Sequence, residues 1–167
     1  MSDTWAMKRL ALLAWAPLPL LLGACAAFVP PKAGIPAELL NPAVTPETVQ
    51  QTVCVPAYAR SITPPETAMQ QQVLNLARGA GLDVGLVPTY VLDRKLPVVL
   101  GGHPTHEANL QLIEAGGESG ARRKQALERR LMLKVCRGEM GLREAQAAIY
   151  PDWAKAYALY VDEGSQR

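Results

Sequence analysis

Thirteen consecutive residues, Leu10 to Leu22, carry no charge, follow the pair Lys8-Arg9, and end at Gly23-Ala24-Cys25. A helix needs roughly 20 apolar residues to cross a bilayer, so this run is too short to span one. A short basic stretch, a short apolar stretch and small residues together describe a secretory leader. Met7, directly before Lys8, offers an alternative start. The leader constrains everything downstream, because an exported chain folds in an oxidising compartment and without its first 24 residues. Cys54 and Cys136 are then an even pair, most simply a disulfide, with two buried free thiols as the alternative. Neither cysteine has a CxxC neighbour or a histidine at ligand spacing, which argues against zinc. A bridge between them would close a long loop and add about 4 kcal/mol at most on the loop-entropy view.

The run Leu22-Gly23-Ala24-Cys25 resembles the lipobox of bacterial lipoproteins, in which an apolar residue and two small residues precede the cysteine that is acylated. The resemblance implies cleavage before Cys25 and a lipid anchor there; two or three acyl chains hold a protein stably where one does not. Ala26, rather than Asp, follows the cysteine, which by the same resemblance implies the outer membrane, facing the periplasm. The expected organisation is a leader over 1–24, a Pro-rich tether over 25–51, a domain over 52–162 and a polar tail over 163–167.

Of the 167 residues, 49% are hydrophobic but only 5% aromatic, so the core must rest on aliphatic side chains. The formal charge is +2, and losing Lys8, Arg9 and Asp3 with the leader leaves +1. Such a balance excludes attraction of the whole molecule to polyanions and leaves only local patches. Prolines punctuate the chain from Pro30 to Pro65, which excludes long helices and central strands there. Helical spacing of Met69, Val73, Leu76 and Ala77 predicts a helix from Thr63 or Pro64 to Ala77 or Arg78. Tyr90-Val91-Leu92 and Pro97-Val98-Val99-Leu100 are β-prone runs around Asp93-Arg94-Lys95, which predicts a hairpin. Ala121 to Arg137 is a clear amphipathic helix, with Leu127, Leu131, Met132, Val135 and Cys136 on one arc. Arg122, Arg123, Arg129, Arg130, Lys134 and Arg137 form the opposite arc, and Gly138 is a good stop. Leu142–Ile149 and Asp152–Tyr160 read as two further helices. The expected fold is α+β and mostly helical, a short hairpin packed on the long helix.

Several residues are candidates for chemistry. His103 and His106, just after Gly101-Gly102, could ligate a metal with Asp93, or be solvated loop residues. Lys124 and Glu128, spaced i, i+4, fall on the packed arc of the long helix, where charges need partners. The basic arc could meet phosphates or lipid headgroups, or be a solvated face. No aromatics interleave with it, so single-strand stacking is not indicated. There is no Gly-rich phosphate loop, no GxSxG and no catalytic cysteine triad.

The order of motifs also resembles a group of secreted bacterial HNH-like domains. Tyr90-x-Leu92-Asp93-Arg94-x-Leu96-Pro97-x-x-Leu100-Gly101-Gly102 followed by Asn109-Leu110 is similar to their central pattern. Thr52-x-Cys54-x-Pro56-x-Tyr58 lies upstream, and Lys124-x-x-Leu127-Glu128, Leu131-x-x-x-Val135-Cys136, Ala145-Gln146 and Asp152-Trp153 lie downstream. The similarity runs from about Thr52 to Tyr157. It implies a ββα-metal site: the Asp helps bind a divalent cation, a His activates water, and Asn109 orients that His. This chain has Arg94 where the family has His, and arginine does not give up its proton near neutral pH. The resemblance therefore implies a degenerate site at Asp93, Arg94, Asn109, Lys124 and Glu128. The expected function is a membrane-anchored envelope lipoprotein, without an enzymatic cofactor, using the scaffold for structure or for binding, with an envelope protein as a possible partner. The alternatives are a nuclease or phosphodiesterase using Mg²⁺ or Mn²⁺ with a substituted base, and a nucleic-acid binder without cleavage.

Overall fold

A computed structural model describes residues 34–162. The expected leader, Cys25, the first part of the expected tether and the expected tail over 163–167 lie outside the described residues. The described chain is α+β, with five α-helices around one two-stranded antiparallel sheet. No described helix is long and apolar enough to cross a membrane.

The longest helix, α3 (Ala121–Cys136), is the axis of the core. Its arc of Leu127, Leu131 and Val135 is buried, as the 3.6-residue period requires. It ends where Gly138 takes a φ of 72°, with Gly138 N–H donating to Val135 O and Glu139 N–H to Lys134 O. Only a residue without Cβ enters that left-handed cap without strain. Two helices follow, α4 (Leu142–Ile149) and α5 (Trp153–Tyr157), the latter capped by the Asp152 carboxylate accepting from Lys155 N–H at 3.1 Å. The backbone continues from α5 as a π-helical turn over Ala158–Asp162. Leu142, Ala145, Ile149 and Ala156 complete this side of the core.

The described part of the expected tether, from residue 34 on, is not a spacer. Leu39, Val44 and Val49 are buried in the same core as α3. Leu40 bridges Gly102, Asn41 N–H donates to Gly101 O at 2.9 Å, and His103 N–H donates to Leu39 O at 2.8 Å. The domain thus begins well before Thr52. Proline excludes regular helix and strand, but it does not exclude burial. Short 3-10 turns at Ala37–Leu39 and Val49–Gln51 each leave one apolar side chain facing inward. Cys54, just beyond, is disulfide-bonded to Cys136 with Cα atoms 5.4 Å apart, clamping this segment to the end of α3.

The prolines also divide the next helical region. Helix α1 (Tyr58–Ile62) stops at Thr63, which is extended at ψ 119° because Pro64 disfavours a helical predecessor. A 3-10 turn at Glu66–Met69 then leads into α2 (Gln70–Gly79), later than the expected start at Thr63 or Pro64.

The hairpin is real, but its second strand is not Pro97–Leu100. Strand β1 (Tyr90–Arg94) pairs with β2 (Leu110–Glu114), with Asp93 opposite Gln111 and Arg94 opposite Leu110. Val98–Leu100 is a buried 3-10 turn instead. Pro97 lacks the N–H a ladder would need, and its carbonyl accepts from both Leu100 N–H and Gly102 N–H. Gly102 lies so close to the Leu96 carbonyl that an added Cβ would sit 1.8 Å from its oxygen. Apolar β-prone residues serve a buried turn as well as a strand, so composition does not separate the two.

Candidate functional site

Alternation along β1 sends Asp93 and Arg94 to opposite faces of the hairpin. Asp93 meets the first turn of α3. There the Lys124 ammonium lies 2.9 and 2.8 Å from the two Asp93 carboxylate oxygens, 2.6 Å from Arg94 O and 3.1 Å from Glu128 Oε1. Lys124 is only 1% exposed, so the charge is fully withdrawn from water and depends on these oxygens. Gln111 Nε2 donates to Asp93 Oδ2 at 2.7 Å, engaging the carboxylate from the cross-strand position as well. Burial pushes the Glu128 carboxyl above the usual glutamate range; Lys124 pulls it back, Asp93 pushes it further, and Arg94 pulls it back again.

Arg94 does not bond to Asp93. Its Nε donates to Pro104 O at 3.0 Å, and Lys124 holds the place beside the carboxylate. Burial lowers the basicity of Arg94, and the nearby Asp93 and Glu128 oppose that shift. The group stays cationic near neutral pH, because an arginine begins from so high a pKa. Asn109 does not orient Arg94 either. Wholly buried, its side chain accepts from Leu96 N–H at 2.8 Å and donates to Leu96 O at 2.9 Å and His103 O at 2.8 Å. It closes the 95–109 loop by standing in for strand partners that Leu96 lacks.

His103 and His106 belong to that loop's internal bonding. His103 Nδ1 accepts from Thr105 N–H and His106 N–H, and His106 Nδ1 accepts from Ala108 N–H. The structure does not bring them to Asp93 as a ligand set; among the described residues no group of three or more His, Cys, Asp or Glu is placed to hold a metal ion. The oxygens of Asp93, Glu128 and Arg94 are of the type a hard divalent cation takes. The Lys124 ammonium, however, already sits among them at hydrogen-bond distance, and a metal would have to displace it. The residues present therefore do not fit a divalent ion.

The basic arc of α3 is only partly open. Arg122, Arg129, Arg130 and Arg137 are exposed. Arg123 lies 4.2 Å from the centre of the Tyr157 ring and 3.4 Å from Asp162. Lys134 and Arg137 lie 3.7 and 3.8 Å from Glu139 carboxylate oxygens. Intramolecular partners thus take up part of the charge that the arc presents in sequence.

A cleft of about 440 Å³ opens beside the cluster, between α1, β1 and α3. Arg60, Thr63, Asp93, Arg94, Gln125 and Glu128 supply its polar lining, and Leu92, Val98 and Pro64 part of its apolar one. Sequence reasoning missed Arg60 and Gln111. Gln111 becomes visible only once the true partner strand is known, and Arg60 only once α1 is placed over β1. Comparison with known protein families, known proteins and solved structures finds no match to the chain.

Proposed function

We propose that this chain is an exported lipoprotein, acylated on Cys25 and held at the envelope membrane, with the outer membrane facing the periplasm as its site. Its folded domain uses a catalytically degenerate HNH-like scaffold for a structural or binding role. The observation that carries the non-hydrolytic part of this reading is Lys124. Its ammonium is bonded to both Asp93 oxygens, Arg94 O and Glu128. A cation built into the chain supplies the charge balance that a metal would otherwise supply, without open coordination positions for water or substrate. Arg94, next to it, has no lone pair with which to accept a proton from water. The Cys54–Cys136 bridge supports the exported part, since such bonds persist in oxidising compartments.

Two experiments test the two halves. Cys25→Ser should abolish palmitate labelling and membrane retention; unchanged labelling would remove the anchor from the reading. Purified wild type should leave plasmid DNA intact with Mg²⁺ or Mn²⁺. Cleavage that is lost on Asp93→Ala, and absent from a mock purification, would establish a nuclease with a substituted base instead.

A further inference from the structure

The cleft between α1, β1 and α3 has an unusual distribution of satisfied and unsatisfied charge. Its carboxylates are engaged: Asp93 by Lys124 and Gln111, Glu128 by Lys124. Its arginines are not. Arg94 commits only Nε, to Pro104 O, and neither of its Nη groups has a protein acceptor among the described residues. Arg60, exposed in the last turn of α1, has no protein acceptor among them either. A guanidinium held through Nε keeps its two Nη donors as a planar fork, the geometry that grips an oxyanion in bidentate fashion. The rest of the lining is largely apolar, including Leu92, Val98, Val99, Pro64, Pro65 and Pro97.

We propose that this cleft binds a small monoanion with an apolar body: a carboxylate received by Arg94, with Arg60 at the rim and the aliphatic part against Leu92 and Val98. The inference rests on the binding reading of the scaffold given above. Charge selects the monoanion. The lining carries Arg60 and Arg94 with Asp93 and Glu128, and the buried Lys124 behind it bonds both carboxylates, three cations in all to two carboxylates, so one added negative charge balances the cleft and two overshoot it. Size agrees: a cleft of about 440 Å³ lies in the range of small-ligand sites, roughly 300–1,000 Å³. The same chemistry is offered by a free short-chain carboxylic acid and by the C-terminus of a peptide.

Calorimetric titration tests this on the chain carrying Cys25→Ser. The probes are hexanoate, hexanamide, hexyl phosphate, and an N-acetylated aliphatic tripeptide as acid and as amide. At least one acid should bind at millimolar concentration, and its amide should bind at least about tenfold more weakly, because a charge-assisted bidentate contact is lost. Arg94→Gln should weaken the acid by a similar factor, Arg94→Lys by less, and Arg137→Gln, at the C-terminal end of α3 and away from the cleft, not at all. Hexyl phosphate should bind no more tightly than hexanoate. Tighter binding by the tripeptide acid than by hexanoate assigns the site to chain ends, and the reverse to free acids. Equal binding of acid and amide overturns the proposal on wild-type protein alone, whatever the variants do to folding. Tighter binding of the phosphate, unchanged affinity in Arg94→Gln, or no binding by either acid also overturns it. Failure here leaves the DNA-cleavage test untouched, and cleavage dependent on Asp93 would defeat the parent reading whatever the acids do.

Discussion

Replacing Lys124 by methionine keeps an unbranched side chain of similar length and removes the one buried cation among the described residues. Asp93 then keeps only Gln111, Glu128 loses its close cation, and Arg94 O loses its 2.6 Å donor. Breaking a buried ion pair from one side costs about 3–5 kcal/mol, because the abandoned charge stays buried. Asp93 and Glu128 side chains are 13% and 18% exposed, so water reaches them in part and the lower end applies. With a urea slope of about 2 kcal/mol per molar, a loss of about 3 kcal/mol moves the unfolding midpoint down by about 1.5 M. Urea unfolding followed by far-ultraviolet circular dichroism, disulfide intact, measures it. Asp93→Asn in the Lys124→Met background should recover part of the loss, since a neutral amide replaces the stranded carboxylate. Arg129→Ala, an exposed control, should stay within about 0.5 kcal/mol of wild type. A Lys124→Met protein as stable as that control would refute the view that the ammonium holds the hairpin to α3.

Three further outcomes follow from the same contacts. Asn109→Ala leaves Leu96 N–H, Leu96 O and His103 O without partners; it should cost about 2–4 kcal/mol and speed hydrogen exchange at Leu96, and wild-type protection of that amide would contradict the role assigned to Asn109. Cys54→Ser with Cys136→Ser opens a link spanning 82 positions and should lower stability by up to about 4 kcal/mol, read as a drop in thermal midpoint; an unchanged midpoint would mean that the clamp adds nothing. Glu128 titrates above its unfolded value, so the folded protein retains a proton that the unfolded chain has released. Its contribution to stability therefore falls as pH rises from the ordinary glutamate range through the raised value. Glu128→Gln should flatten that part of the stability profile; curves parallel to wild type across it would count against the shift.

How much of this was legible in sequence depends on how far apart the deciding residues lie. The period of Leu127, Leu131 and Val135, the stop at Gly138 and the limits of α4 are set by neighbours within a turn or two, so the sequence by itself determined them. The pairing of Cys54 with Cys136 followed from reading an exported chain with two cysteines left. The placement of Lys124 and Glu128 on the packed arc of α3 was readable too. The burial of Leu39, Val44 and Val49 was not, because prolines report what a backbone cannot do and are silent about what its side chains touch. Nor was the choice of β2 over Pro97–Leu100, which turns on the close approach of Gly102 to Leu96 and on an Asn109 amide 13 residues from Leu96. The partner of Asp93 is 31 residues away in Lys124 rather than adjacent in Arg94, because a strand sends successive side chains to opposite faces while α3 crosses only one of them. Only the tertiary structure could decide which cation reached the carboxylate and which was left facing the cleft.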